Sequence, residues 1–326
     1  MANLIKTPFL CKCIRKLSPS NPFERTIFAP MNSKHFAGFV SIVGNPNVGK
    51  STLMNALLGE KLSIITAKAQ TTRHRILGIL NGEDFQLVLS DTPGVIKPAY
   101  AMQDAMMHFV KESLVDADVI CYMTTAEMDA LKDEKLKERI QHTSTPLLIL
   151  INKIDLTEPE ALHRAVEKLN QEFPKAEILP IAAKTGFCIP ELLEKLRKLM
   201  PEGPAYFPKD QLTDKPERFF VNEAIRQAIL EHYSQEIPYA VEVTTEEFKE
   251  DAKLIRIRSI IQVERNSQKG ILIGHKGSAL KHMGITARKN LEGFFGKKIH
   301  LELYVKVVKN WRSSSHQLKR FGYSNQ

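Results

Sequence analysis

Cysteine is scarce in this chain: 326 residues hold four, Cys11, Cys13, Cys121 and Cys188. None shows the paired spacing of a metal module, which argues against a disulfide framework and fits a reducing compartment. The chain beyond residue 200 has no cysteine at all, so thiol chemistry is excluded there. No apolar run approaches the length needed to span a bilayer. Acidic residues stop at Glu302, leaving the final stretch without a negative side chain.

What is present suits two soluble domains, because the chain is too long for one ordinary core. Hydrophobic residues make up 43% and charged residues 25%, while the net charge of +9 favours phosphate-rich partners or an anionic membrane surface. Charge alone does not choose between them. Residues 1–36 read as a flexible extension. Lys6, Lys12, Arg15, Lys16 and Arg25 suggest a targeting peptide, whereas Glu24 and Met31, just ahead of the first strand, fit an upstream start or a tail equally well.

The strongest motif is Gly44-Asn45-Pro46-Asn47-Val48-Gly49-Lys50-Ser51-Thr52. It follows the apolar run Phe39 to Val43 and precedes Leu53, Ala56 and Leu57 at helical spacing, the strand, loop, helix context of a phosphate-binding loop. Its backbone N–H groups and the new helix's positive end face an anion. Lys50 reaches the outer phosphates, and Ser51 offers a magnesium ligand.

From Phe39 to about Met200, short apolar runs alternate with amphipathic helical patterns, an α/β arrangement with a mostly parallel sheet. Strands are expected at 75–80, 86–90, 119–123, 147–151 and 177–180, with helices at 101–114, 129–140, 161–173 and 191–200. Ligands bind beyond the carboxyl ends of such strands. There the chain places Asp91-Thr92-Pro93-Gly94, whose carboxylate suits a magnesium shell and whose Gly94 N–H suits a terminal phosphate. Another strand ends at Asn152-Lys153-Ile154-Asp155. Asp155 can accept the ring N–H and exocyclic amine of guanine, while adenine would leave it unpaired. Asn152 steadies the loop, and the stem of Lys153 covers a face of the base.

These ordered motifs resemble the translation-factor-related GTPases. The resemblance implies a switch loop at Ala69 to Arg75, with Thr72 or Thr71 as the threonine that meets magnesium only beside a γ-phosphate. It also implies a base-binding loop at Ala182-Ala183-Lys184, where Ala182 replaces the usual serine and the Ala183 N–H meets the guanine carbonyl. Lys50, Thr72 and Gly94 would carry catalysis; Ser51, Thr72 and Asp91 would hold magnesium. Val95, counted with the nucleotide-binding residues, stands where Ras-like proteins place a water-orienting glutamine, so slow intrinsic hydrolysis is expected. In some relatives an asparagine matching Asn47 helps bind potassium.

Prolines at 201, 204, 208 and 216 mark residues 201–216 as a connector. Beyond it, a helical pattern from Phe220 to Ile229 leads to strands expected at 239–244 and 254–263. Ile273-Gly274-His275-Lys276-Gly277 then precedes an amphipathic pattern and a final alternating run, Lys298 to Val307. A Gly-x-x-Gly loop between helices lets a nucleic-acid backbone approach closely, which resembles a KH domain. In a basic tail at 311–326, Trp311 and Phe321 interleave with Arg312, Lys319 and Arg320. Such a tail can stack on bases or lie on anionic lipid.

A GTPase at 37–200 followed by KH at 217–310 resembles the Era family of ribosome-assembly GTPases. The resemblance implies an α/β P-loop GTPase domain and an α+β KH domain of type II. It implies GTP/GDP and magnesium as ligands, with potassium where Asn47 serves it, and binding near the 3′ end of small-subunit ribosomal RNA in the maturing small subunit. It also implies a monomer in the cytoplasm with peripheral contact at the inner face of the plasma membrane. Two rivals stay open: a metabolic P-loop enzyme without guanine preference, and a membrane-associated signalling switch.

Overall fold

The computed structural model describes residues 34–66, 68, 70–127 and 131–323. They form two compact units. The larger contains residues 35–207, 212–215 and 310–323, and the smaller 208–211 and 216–309.

The larger unit begins with β1 (Phe36–Gly44), whose residues Val40, Ile42 and Val43 are wholly buried. That continuous burial follows from a central position in a sheet covered on both faces. The phosphate-loop residues lead into α1 (Lys50–Leu58). Then come β2 (Ile76–Asn81), β3 (Phe85–Asp91), α2 (Ala101–Val115) and β4 (Val119–Thr125). They are followed by α3 (Glu134–Gln141), β5 (Leu147–Asn152), α4 (Pro159–Glu172), β6 (Glu177–Pro180) and α5 (Ile189–Leu199). The six strands lie in the order β2-β3-β1-β4-β5-β6, and only the β2–β3 pairing is antiparallel. The carboxyl ends of β1, β3 and β5 therefore bring Gly44, Asp91 and Asn152 to one rim.

Helix α3 starts later than its periodicity predicts. Asp133 caps it, accepting from Leu136 N–H at 3.1 Å, and the expected start at Asp129 lies outside the described residues. Residues 1–33, most of the extension expected at 1–36, are likewise outside, and Phe36, expected in that extension, is the first residue of β1.

The smaller unit runs α6 (Glu217–His232), α7 (Ile237–Ala240), β7 (Glu242–Glu250), β8 (Leu254–Val263), α8 (Asn266–Ile273), α9 (Ser278–Phe295) and β9 (Lys298–Val307). Its sheet, β7-β8-β9, has one antiparallel and one parallel pair. Along β8, Ile255, Ile257 and Ile261 point into the core while Arg256 and Arg258 are exposed, the period of two that seats one sheet face on helices. Helix α9 contributes Met283, Ala287 and Leu291, all wholly buried and four residues apart. Burying a side chain the size of Met283 or Leu291 stabilises the fold by roughly 1.5–3 kcal/mol relative to exposure.

Two expectations change here. Tyr239 belongs to α7, not to a strand, because Pro238 in the first turn presets helical φ. Residues 311–323, within the tail expected at 311–326, pack as part of the larger unit together with Asn310, which was expected in the KH domain, and they include α10 (Ser315–Arg320).

Candidate functional site

Three side-chain oxygens converge at the rim of the large sheet. Ser51 Oγ donates to Asp91 Oδ2 at 2.8 Å and lies 2.9 Å from Thr72 Oγ1, which donates to the same carboxylate oxygen at 3.4 Å. Asp91 is fully buried, and its Oδ1 has no hydrogen-bond partner among the described residues. A buried carboxylate with an unused oxygen, flanked by two hydroxyls, is a hard, oxygen-only donor set that fits magnesium. Burial pushes the Asp91 carboxyl up, while nearby Lys50 and the hydroxyl donors pull it down. A divalent cation would hold it ionised.

The two candidate threonines separate clearly. Thr71 Oγ1 donates to Lys68 O at 2.7 Å and sits 2.9 Å from Thr66 Oγ1, so it closes its own loop while Thr72 faces Asp91.

Lys50 is buried beside this cluster. Its Nζ donates to the carbonyls of Gly44 (3.1 Å) and Asn45 (2.9 Å), and burial lowers its pKa to about 8 against the opposing pull of Asp91. A phosphate would provide the negative charge this ammonium lacks. Gly94 presses on the phosphate loop so closely that a Cβ there would lie 2.7 Å from Pro46 Cα. No larger residue fits at that approach.

Two expected nucleotide contacts are engaged elsewhere. Val95 is wholly buried, and its N–H donates to Gly44 O at 3.0 Å, which makes it a tie between motifs. Thr92, also fully buried, donates its hydroxyl to Ile42 O at 2.8 Å and anchors the turn to β1, with Pro93 buried beside it.

At the base end, Asn152 Nδ2 donates to Val48 O at 2.8 Å and its Oδ1 accepts from Ala183 N–H at 2.9 Å. One side chain thus joins the phosphate loop to the 182–187 loop. The Ala183 N–H expected to meet guanine is occupied by that contact. The N–H groups of Thr185, Gly186 and Phe187 all return to Ala182 O. The Lys184 N–H has no partner among the described residues, so it is the donor the loop leaves for a ligand; the sequence reading did not single it out. Lys153 takes a left-handed conformation (φ 64°) that turns the chain into the short helical turn Ile154–Leu156. Asp155 there is exposed, without a hydrogen bond or ion pair among the described residues, and is available to two N–H donors.

In the smaller unit, Ile273 ends α8, and the loop 274–277 leads directly into α9. Gly274 has φ 70°, where L side chains are strained, and a Cβ would meet that of Ala279 at 2.6 Å. His275 and Lys276 are exposed, while Gly277 opens α9 with no side-chain cap. Uncapped amides beside a lysine suit a phosphate. The expected stacking residues of the tail are not available in this way, since Trp311 is fully buried and packs edge-on against Phe321 at 5.6 Å.

A family described as 50S ribosome-binding GTPase matches residues 39–153, and the KH domain family matches residues 236–312. The chain is 42% identical over 293 residues to GTPase Era of Staphylococcus haemolyticus, spanning 89% of this chain and 98% of that protein. It is 41% identical over the same length to the GTPase Era of Staphylococcus epidermidis. Among solved structures, Era in complex with MgGDPNP and nucleotides 1506-1542 of 16S ribosomal RNA superimposes with a TM-score of 0.85 at 38% identity, covering 89% of this chain and 100% of that one. An Aquifex aeolicus Era variant bound to GDP and aluminium fluoride gives the same values.

Proposed function

The chain belongs to the Era family of GTPases, and on that premise we propose that it is a GTP-hydrolysing switch whose KH unit binds small-subunit ribosomal RNA near its 3′ end and assists assembly of that subunit. The observation that carries this reading is the convergence of Ser51, Thr72 and Asp91 beside buried Lys50. Thr72 comes from the switch loop, so its place in the cluster depends on what occupies the site.

The residues divide the work by chemistry. Lys50 neutralises the outer phosphates, and the 44–51 backbone encloses them. Ser51, Thr72 and Asp91 hold magnesium, which when bound spreads the charge of the β- and γ-phosphates. Gly94 brings its N–H to the terminal phosphate. Asp155 and the Lys184 N–H select guanine. With Val95 buried where a water-orienting amide would stand, no side chain at that position holds the nucleophile, and intrinsic turnover is slow.

Asn47 is left-handed (φ 63°) within the phosphate loop, and we assign it a potassium ligand role, supported by the missing glutamine. Faster hydrolysis in potassium than in sodium salt tests that assignment. The exposed cations Lys309, Lys319 and Arg320 support peripheral contact of a cytoplasmic monomer with an anionic membrane.

In the KH unit, Ile273 to Gly277 bring the N-terminus of α9 and Lys276 to an RNA phosphate, so that bases can be read alongside. Bound GTP, acting through Thr72 and Gly94, orders the switches and favours the RNA-competent arrangement; hydrolysis reverses it. Sequencing the RNA that co-purifies with the protein tests the partner. Enrichment of the small-subunit 3′ end is expected, and its absence would remove the assignment.

A further inference from the structure

Ser63 is almost wholly buried, and its hydroxyl has no hydrogen-bond partner among the described residues. Its backbone, in contrast, is held on both sides by Asn55 of α1. Ser63 N–H donates to Asn55 Oδ1 at 3.0 Å, and Asn55 Nδ2 donates to Ser63 O at 2.9 Å. The same Oδ1 accepts from Leu62 N–H at 3.0 Å. Leu62 and Ile64, on either side, are buried, so the segment has little freedom to turn the hydroxyl elsewhere. Asn55 stands four positions after Ser51 and therefore on the same face of the helix. That face carries both the Ser51 hydroxyl and the clamp that places Ser63.

The group that Ser63 is placed against is Asp91. Ser51 and Thr72 both donate to Asp91 Oδ2, which leaves Oδ1 without a partner among the described residues. The Ser63 hydroxyl is near enough to this carboxylate to help hold its pKa down, yet it stands outside hydrogen-bonding geometry. Two buried oxygens, a hydroxyl that can donate and a carboxylate oxygen that accepts, thus lie at one site with no bond between them. A buried hydroxyl without a partner is less favourable than an alanine methyl in the same place. Filling space does not account for serine here; a hydroxyl that gains a partner when the site is loaded does. Carboxylates at metal sites are oriented by such outer hydrogen bonds, and magnesium keeps part of its water shell.

We propose that Ser63 is a positioning residue of the magnesium site: its hydroxyl and Asp91 Oδ1 share a water of the loaded site, which fixes the carboxylate in the orientation that Ser51 and Thr72 already favour. Ser63 acts through Asp91 and not on the nucleotide. The inference rests on the assignment of Ser51, Thr72 and Asp91 to magnesium, and it extends that site to a residue outside the ordered motifs.

The test is the release of a fluorescent GDP analogue from the full chain, followed over a magnesium titration and in excess EDTA, beside thermal melting of the ligand-free protein. Magnesium should slow release from the wild type. Ser63→Ala should move the midpoint of that slowing to magnesium concentrations about 10–100-fold higher, the scale of losing a group that orients a metal ligand. Release in EDTA should be unchanged. The Tm of the ligand-free variant should be equal or higher, because the substitution removes an unpaired buried hydroxyl. A serine that only supports the fold would act differently, with a lower Tm and faster release whether magnesium is present or not. That result, or a variant that does not fold, would overturn the proposal. An unchanged midpoint would overturn it too and leave the assignment of Ser51, Thr72 and Asp91 standing, whereas a wild type whose release ignores magnesium would remove both.

Discussion

The hydroxyls of Ser51 and Thr72 lie 2.9 Å apart although they are 21 positions apart in the chain, and both donate to one oxygen of Asp91. The switch loop is thus closed onto the phosphate loop through a donor set suited to magnesium. Thr72→Ala should leave GDP affinity within about twofold, because the switch threonine serves the triphosphate state. It should slow hydrolysis on the order of 100-fold, the scale of losing one preorganised electrostatic contact. Single-turnover rates at saturating magnesium check this, and a wild-type rate would remove Thr72 from the site.

Asp155 is exposed and unpartnered among the described residues, so its carboxylate is free to receive two N–H groups of guanine. Hydrogen bonds to a charged acceptor contribute about 1.5–3 kcal/mol each, so Asp155→Asn should weaken GTP by roughly 10²–10⁴-fold. The amide reverses the pattern at that edge, and the variant should gain affinity for xanthosine triphosphate. Competition binding with the two nucleotides decides it; unchanged GTP affinity would refute the assignment.

Burial lowers Lys50 to about 8 in the ligand-free protein. Phosphate stabilises the ammonium, so binding raises that pKa and draws in a proton wherever the free protein has lost one. The sign follows: affinity for GDP is independent of pH well below 8 and falls as pH rises through it, by up to about tenfold per pH unit. Calorimetry in buffers of different ionisation heat should show proton uptake at pH 8.5 and little at pH 6.5. Equal uptake at both would contradict the lowered value. For the ligand-free fold, the unfolded state binds the extra proton between about 8 and the ordinary lysine value of 10.5, so this group's destabilising effect diminishes as pH rises across that window.

Lys276 is exposed beside the uncapped start of α9. As a phosphate contact, its replacement by alanine should weaken RNA binding by a similar factor for different sequences and reduce the salt slope by about one. A loss confined to one RNA sequence would mean that Lys276 reads a base.

The chemistry-bearing motifs were legible because each depends on spacing along one strand, loop, helix passage. The phosphate loop, Asp91 to Gly94 and Asn152 to Asp155 all stand at the strand ends where the pattern puts them. The choice between Thr71 and Thr72 was not legible, since neighbours in a polar loop differ only in which way the fold turns them. Nor was Ala183, whose N–H is taken by a side chain 31 residues away. Strand β7 continues to Glu250 through exposed Lys249 and Glu250, where no apolar alternation marks it. Trp311 and Phe321 read as a stacking platform in sequence. In the fold they are buried and pack against each other, while Tyr323, two residues on, packs on His74 from far back in the chain.

The central claim is that nucleotide at the 44–51 loop sets the grip of the KH unit on RNA. Its most direct test is the affinity of the full chain for a small-subunit ribosomal RNA 3′-end fragment, measured at one salt concentration with a non-hydrolysable GTP analogue, with GDP and with no nucleotide. Tightest binding is expected with the analogue, by about tenfold or more over the other two states. Equal affinity in all three would contradict the account.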